Sequence, residues 1–409
     1  MSQKISVSPE EQLAEIKLGS SEIIAEDELL SKLRRSYKEQ KPLRIKLGAD
    51  PSSPDIHLGH TVVLNKMRTF QKFGHHVVFI IGDFTARIGD PTGKNKTRPP
   101  LSEEQVMSYA KTYQDQVFKI LDRDKTEVVY NSHWLDALKP MDIVKLMASR
   151  TVQQLIVRED FSKRLEDNVP VHLHELLYPV LTGYDSVYLR SDVELGGTDQ
   201  KFNLLFAREM QRHAGMEPQC TLTTPLLEGL DGVQKMSKSL NNYIGINEAP
   251  RDIFGKTMSI SDELMIRFYE LLSRKGHQYV KDVKTRLKDG SLHPMEAKKS
   301  IAEEIVSHYW GEAEGRAARQ HFEDTFSNRK IPTDLPVYEL QSQDGQINII
   351  DVCMQLGFVQ SRSEARRLLK QNGLHLDGTT LSGEVVSVQV GQTCVFKAGK
   401  LKMAKLEIK

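Results

Sequence analysis

The chain has 409 residues, 39% hydrophobic and 27% charged, with 56 basic against 55 acidic side chains for a net charge of +1. That is the composition of an ordinary globular protein of two or three domains, and so even a balance excludes a global field directed at nucleic acid, membrane or acidic substrate. The three cysteines, Cys220, Cys353 and Cys394, are scattered and odd in number, which argues against a disulfide framework. The amino terminus lacks an apolar signal core and the longest aliphatic or aromatic run is VVFII at 77–81, so a cytoplasmic protein with no membrane span is expected.

Residues 43–49, LRIKLGA, predict a buried strand, followed by a Pro/Ser/Asp loop and a helix from about residue 57 to Phe73, closed by Gly74. VVFIIGD predicts the next strand. Strand, helix and strand with short joints make a βαβ unit, whose parallel sheet carries ligands at the carboxyl ends of its strands. Ser102 and Gln105 have capping-box spacing at the start of a helix over 102–121. EVVY predicts a short strand ending at Asn131, residues 141–188 read as mainly helical, and VELGGTDQ predicts a strand and Gly-rich turn feeding the helix KFNLLFAREMQRH. A polar loop then holds KMSKS at 235–239, and residues 250–330 predict helices.

RKIPTDLPVYELQSQDGQ at 329–346 has two prolines, a glycine and little apolar periodicity, so a linker is placed at 331–344. Residues 345–409 beyond it hold nine Lys/Arg against five Asp/Glu, a net of +4, which leaves −3 for the rest. Ser361 and Glu364 have capping-box spacing at the head of a helix that Gly373 is expected to stop. Arg362, Arg366 and Lys370 recur every four residues, with Arg367 beside them, while Ala365, Leu368 and Leu369 share the opposite face. LHLDG, VVSVQVG and TCVFKAG predict strands. A small α+β module with a basic helix face suits a nucleic-acid backbone, although the same pattern also describes a solvated charged face.

Three stretches invite chemistry. His57 and His60 lie three apart, with Gly59 between them, where the first strand turns into its helix. No zincin-type spacing supplies further metal ligands, so no metal site is assigned; packing, capping and donation to a phosphate all remain open on local grounds. IGDPTGKNKTR at 88–98 looks like a phosphate loop but is not of the Walker kind, because three residues rather than four separate Gly89 and Gly93 and Asn95 replaces the required hydroxyl residue. It still offers Asp90 for an ammonium or a ribose, and Lys94 and Arg98 for polyphosphate. KMSKS alone reads as solvated surface.

HLGH after the first strand, GGTDQ before a helix and KMSKS further on, in this order, resemble the signatures of class I aminoacyl-tRNA synthetases. At finer grain GADPSSPDIHLGH, FIIGDFTARIGDPTGK, YPVLTGYDSVYL, DVELGGTDQKFNLL and LLEGLDGVQKMSKSLNNYIGI are similar to the tyrosyl family of the bacterial long-chain type. The resemblance runs from about residue 35 to the end, where the last module is similar to an S4 RNA-binding domain. It implies an α/β fold: a helical extension over 1–34, a Rossmann-like parallel-sheet catalytic domain over 35–245 with a helical dimerisation insertion at about 130–180, a helical anticodon-side domain over 246–330, and the S4-like domain over 345–409.

The resemblance also implies a reaction. ATP and L-tyrosine form an adenylate with release of pyrophosphate, and the terminal ribose of tRNA(Tyr) then displaces AMP; Mg2+ accompanies ATP, and a homodimer is expected. Asp50, His57, Gly59 and His60 would handle ATP. Lys235 and Lys238, with Ser237 and Ser239 beside them, would clamp the leaving pyrophosphate, and Lys94 and Arg98 match its opposite flank. Asp199 would hold the ribose, Gly197 would permit close approach, and Gln200 would face the substrate. Asp90, Asn131 and Tyr178 match positions that fix the ammonium group, and Asp185 matches the carboxylate that accepts the phenol hydrogen bond. The RNA-facing set would be Arg362, Arg366, Arg367 and Lys370.

Two positions depart from the family pattern. Thr182 stands at an amino-acid-binding position usually held by Gln, and Lys46 at one where many relatives have a tyrosine that shares recognition of the phenol; a lysine is not an equivalent partner. Selection of tyrosine over phenylalanine is then expected to lean on Asp185, with the tryptophan enzymes as the nearest rival. A small-molecule nucleotidyl transferase would leave about 160 residues of helical domain and tail without use. A decayed, RNA-binding regulator is opposed by the intact His57, His60, Lys235, Lys238 and Asp199.

Overall fold

The structure is a computed structural model that describes residues 4–91, 101–327, 335–342, 345–399 and 402–409. It divides into two units, Met1–Phe322 and Glu323–Lys409.

The first unit opens with α1 (Pro9–Lys17), β1 (Glu22–Ile24) and α2 (Glu26–Glu39). β2 (Arg44–Ala49), α3 (Leu58–Lys72) and β3 (His76–Ile81) form the expected βαβ unit, and Gly74 closes the helix at φ 92°. The short helix α4 (Thr85–Ile88), α5 (Glu103–Val117) and β4 (Thr126–Tyr130) follow. Five helices come next: α6 (Ser132–Leu135), α7 (Pro140–Ala148), α8 (Val152–Ile156), α9 (Glu159–Glu166) and α10 (Leu173–Leu189). β5 (Val193–Gly197), α11 (Lys201–His213) and β6 (Cys220–Thr224) complete the sheet. Its order is β1-β6-β5-β2-β3-β4, parallel except for β1. Val77 to Ile81 in β3 are each at most 2% exposed, as a strand covered on both faces requires. The connection order reverses between β2 and β5, and the crevice outside their carboxyl ends is where such a sheet takes ligands.

The first 34 residues are not a purely helical extension. β1 pairs Glu22–Ile24 with Thr221–Thr223 and covers the edge of β6, and α2 runs through the expected boundary to Glu39. A three-residue strand carries no periodicity to read, and it earns its place by blunting an open sheet edge. The helical insertion likewise continues past 180 to Leu189, because α10 is a single helix.

Beyond the sheet lie α12 (Pro250–Met258), α13 (Asp262–Leu272), α14 (His277–Lys288), α15 (Pro294–Trp310) and α16 (Glu312–Phe322). Ile253, Phe254, Phe268, Ile301 and Ile305 are buried within them. No helix among the described residues is long and apolar enough to cross a membrane.

In the second unit, β7 (Val337–Leu340) is a strand inside the expected linker, paired in parallel with the last strand of the chain. It is only four residues long, so the partner strand is what reveals it. β8 (Gln346–Asn348), α17 (Ile349–Gln355), α18 (Arg362–Lys370), β9 (Leu374–Leu376), β10 (Thr379–Thr380), β11 (Val385–Ser387), β12 (Thr393–Ala398) and β13 (Lys402–Ile408) follow. They make sheets of order β10-β9-β12-β13-β7 and β11-β8 around Cys353, Ala365, Phe396 and Leu406. Only half of the capping box at α18 forms: Ser361 accepts from the Glu364 amide, while the Glu364 side chain takes the Gln360 amide instead of that of Ser361. The left-handed residue that ends this helix is Asn372, at φ 56°, one place before the expected Gly373; a short Asn side chain tolerates that region.

Candidate functional site

His57 is extended and forms the N-cap of α3. The flanking backbone pairs with the strand-like segment after KMSKS: Leu58 N–H donates to Ile244 O and Ile246 N–H to Ile56 O, both at 3.0 Å. The two signatures, far apart in sequence, are therefore neighbours. His57 N–H donates to His60 Nδ1 at 3.2 Å, and the two rings stack at 3.8 Å. With Nδ1 acting as acceptor, the His60 proton sits on Nε2, so the ring can donate to an anion. Burial lowers both imidazole pKa values, that of His60 to about 4, and the charges of Lys238 and Lys235 act in the same direction. Both shifts favour the neutral imidazole at physiological pH. His57 Nδ1 is buried without a partner. A Cβ on Gly59 would stand 3.0 Å from two atoms of the His57 ring, so glycine is the residue that leaves the stacked pair undisturbed.

The KMSKS loop is pinned by Met236, whose backbone N–H donates to Leu227 O at 2.8 Å and whose side chain is buried. Lys235 Nζ donates to Asp199 Oδ2 at 2.8 Å. Lys238 Nζ donates to Ser53 Oγ at 2.7 Å and to the carbonyl of Asp55, and burial lowers its pKa to about 8. Ser237 and Ser239 share a hydrogen bond at 2.9 Å, and Asn242 Oδ1 accepts from the Ser237 amide. Gly197 precedes Asp199 at the end of β5, where a Cβ would lie 2.7 Å from Asp199 Oδ1. Lys94 and Arg98 lie outside the described residues.

Across the crevice is a cluster of carboxylates. Asp50, at the end of β2, accepts from Tyr178 Oη at 2.9 Å and from Thr85 Oγ1 at 2.7 Å. Burial pushes its pKa up to about 7, against those hydrogen bonds and with help from the charge of Asp90. Sequence resemblance places Asp50 with ATP; in the structure its side-chain partners are Tyr178 and Thr85. Gly82 packs on it so closely that a Cβ would fall 2.1 Å from Oδ1. Asp90 accepts from Gln200 Nε2 at 3.1 Å and faces Arg158 at 3.5 Å. Arg158 is 5% exposed and anchored on Asp160 at 2.6 Å.

Asp185 is buried on α10 and accepts from Trp134 Nε1 at 2.8 Å and Asn131 Nδ2 at 3.3 Å. Burial raises its pKa to about 6 in spite of the nearby charge of Lys46. Asn131 also donates to Thr85 Oγ1 at 3.1 Å and accepts from Phe84 N–H at 3.0 Å, so it bridges the surroundings of Asp50 and Asp185. Thr182 turns its hydroxyl back on its own helix, toward the carbonyls of Tyr178 and Pro179 at 3.1 and 3.3 Å. The hydroxyl is thus spent within α10.

Sequence reasoning passed over Thr85, Trp134, Arg158 and Glu194. Thr85 and Glu194 lie within quoted motifs but were given no role there, and Trp134 and Arg158 lie outside them. Trp134, one of two tryptophans, is the only one that composition could have flagged. In the second unit Arg362 pairs with Asp351, and Arg366 with Glu384 at 2.9 Å, so two of the four basic residues on α18 carry acidic partners. Arg367 and Lys370 are exposed.

A family model described as tRNA synthetases class I (W and Y) matches residues 38–327. A tyrosine–tRNA ligase of Coxiella burnetii is 52% identical over 402 residues, spanning 98% of this chain and 100% of that protein. One of Geobacter sulfurreducens is 50% identical over 396 residues, spanning 97% and 98%. Among solved structures, a tyrosyl-tRNA synthetase from Archaeoglobus fulgidus complexed with L-tyrosine has a TM-score of 0.62 at 23% identity, covering 76% of this chain and 99% of that one. A truncated mitochondrial tyrosyl-tRNA synthetase from Aspergillus nidulans scores 0.64 at 19% identity, covering 78% and 95%.

Proposed function

The chain belongs to the class I tRNA synthetases of the tryptophan and tyrosine type, and within them to the tyrosine–tRNA ligases, and from that premise we propose how its residues divide the work. The reaction joins L-tyrosine to its tRNA through a tyrosyl-adenylate made from ATP. An ionised carboxylate is already a nucleophile, so its attack on the α-phosphorus needs no side-chain base. Positioning and stabilisation of the charge that moves onto phosphate oxygens carry the step.

In this reading His57 and His60 donate to phosphate oxygens as neutral rings, and Lys235 and Lys238 neutralise the leaving pyrophosphate. Asp199 holds the ribose, which requires Lys235 to leave it for the phosphates. Asp90, Tyr178 and Gln200 hold the ammonium group, with Asp50 and Asn131 fixing them from behind, and Asp185 accepts the phenol hydrogen. The observation that carries the reading is that two imidazoles and two lysines gather with Asp199 at the end of β5, while Asp50, Asp90 and Asp185 form a second group with the buried Arg158. Such a surface suits a polyphosphate at one end and an ammonium group at the other. The phosphate side presents lysines and imidazoles rather than a carboxylate cage, so a magnesium ion accompanying ATP would be held there by phosphate and water.

The second unit is proposed to bind tRNA through Arg367 and Lys370, with Arg362 and Arg366 contributing once their acidic partners give way. Homodimerisation is supported by exposed apolar side chains on α7 to α10, among them Met141 at 61%, Val157 at 71% and Leu173 at 83%; water-facing groups of this kind call for a covering surface. The three cysteines are free and buried, which supports a reducing, cytoplasmic setting.

Exchange of labelled pyrophosphate into ATP, with tyrosine, tryptophan and phenylalanine supplied separately, tests the reading. Exchange with tyrosine alone is expected. Exchange with tryptophan would move the substrate, and none at all would return the protein to the class of RNA-binding regulators.

A further inference from the structure

Lys46 occupies the position where the phenol pocket was expected to lack an equivalent partner, and it does not line that pocket as an open donor. It is 2% exposed and sits beside Glu194 in the register of β2 and β5. Its Nζ lies 2.8 Å from Glu194 Oε1, 2.7 Å from Ser186 Oγ and 3.4 Å from the Thr182 carbonyl. Three N–H groups thus meet three acceptors, which a buried ammonium group requires. Two of those acceptors, Thr182 and Ser186, are one turn apart on α10 and bracket Asp185.

From this geometry we propose that Lys46 is a specificity-determining positioning residue, acting through Asp185 rather than by touching the substrate, and making that carboxylate a selective acceptor for a phenol hydroxyl. The inference rests on the reading of Asp185 given above. The pair beneath Asp185 is electrically lopsided. Glu194 Oε2 is engaged by Ser186 Oγ at 3.0 Å and by Gln219 Nε2. Of the charged groups that act on Asp185, Lys46 on β2 favours its anion most strongly, and Glu194 on β5 opposes it more weakly. Asp50, at the end of β2, is the third charged neighbour, and Trp134 and Asn131 are neutral donors.

Asp185 is close enough to neutrality, at about 6, for this balance to matter. A charged acceptor binds a hydroxyl roughly twice as strongly as a neutral one. A carboxylate left unpaired by phenylalanine penalises that analogue, by ratios of ~10⁴ to 10⁵ in sites of this type, for which tyrosine against phenylalanine is itself the reference case. A protonated Asp185 penalises it less.

The measurement is the ratio of kcat/KM for tyrosine to that for phenylalanine in adenylate formation, followed from pH 5 to 9. The ratio cancels groups that serve both substrates alike, Asp50 and Asp90 among them. In the parent protein it should rise through about pH 6. Lys46→Met with Glu194→Gln removes both charges at nearly constant volume, and its melting temperature reports folding. The midpoint should move to higher pH and the ratio at pH 7 should fall about tenfold, the difference between charged and neutral acceptors. Glu194→Gln alone leaves the lysine unopposed, and its midpoint should move to lower pH. This second variant decides the matter even if the double one does not fold.

A folded variant of either kind with the parent's midpoint and ratio overturns the role of Lys46. Asp185→Asn separates the layers. If it leaves the ratio intact, the reading of Asp185 fails; if it collapses the ratio while the Lys46 and Glu194 variants do not, only the present inference fails.

Discussion

Tyr178 donates its hydroxyl hydrogen to Asp50 Oδ2 at 2.9 Å and so joins α10 to the carboxyl end of β2. Because burial holds the Asp50 pKa up at about 7, the carboxyl keeps its proton over much of the weakly acidic range. An arriving ammonium group favours the anion and drives that proton off. Tyrosine binding should therefore release up to one proton near pH 6 and weaken as pH falls below 7. Calorimetry in two buffers of different ionisation enthalpy reads the number directly; heats independent of buffer would remove Asp50 from the ammonium site.

The same shift has a stability consequence. The folded pKa lies above the ordinary value of 3.8, so the folded state binds more protons and stability falls as pH rises from about 4 to about 7. Asp50→Asn should lack this slope. Its melting temperature relative to the parent should climb across that window and level off above it. Parallel curves for the two proteins would show that Asp50 titrates normally.

His60→Ala should slow adenylate formation by ~10²- to 10³-fold, the usual scale for losing one transition-state donor, with little change in tyrosine affinity. His60→Gln, which keeps an N–H donor, should lose less. Since burial holds the His60 pKa near 4, no limb from this ring should appear between pH 6 and 9. Single-turnover rates for both variants check the point, and equal losses would assign His60 to packing against His57.

Truncation after Ser327 should spare pyrophosphate exchange and damage tRNA charging. A cut at 344 is a poorer experiment, because it leaves β7 without the β13 edge it pairs with. In the full chain, Arg367→Ala with Lys370→Ala should reduce the salt slope of tRNA binding by about one per lost phosphate contact. Charging by the truncated protein at the parent's rate would deny the second unit its role.

Val144→Glu with Met147→Glu places charge on an exposed apolar stretch of α7, where the side chains are 55% and 50% exposed. If that stretch is covered by a second copy, sedimentation should show a shift to monomer at unchanged helical content. A distribution like the parent's would put the interface elsewhere.

Much of the architecture was legible in the chain because its cues are local. VVFII announces a strand covered on both faces, Gly74 a helix end, and Ser102 with Gln105 a cap, each of which depends on residues within one or two turns. The order of HLGH, GGTDQ and KMSKS is likewise a property of the sequence, and it sufficed to place the chain in its family. What it left open was every relation across strands. β1 and β7 are too short to be seen without β6 and β13, which lie far away in sequence. That Asp50 meets Tyr178 and Thr85, residues 128 and 35 positions distant, is likewise invisible in the local sequence.

Lys46 shows the division most sharply. Its identity marks a departure from the family pattern, and composition can say no more. Only the parallel register of β2 with β5 sets it against Glu194, and only the docking of α10 brings Thr182 and Ser186 over its ammonium group. Sequence determines which charges a protein carries; tertiary packing determines which of them are taken out of water and what they then face, and the energy of a buried charge depends on that second choice.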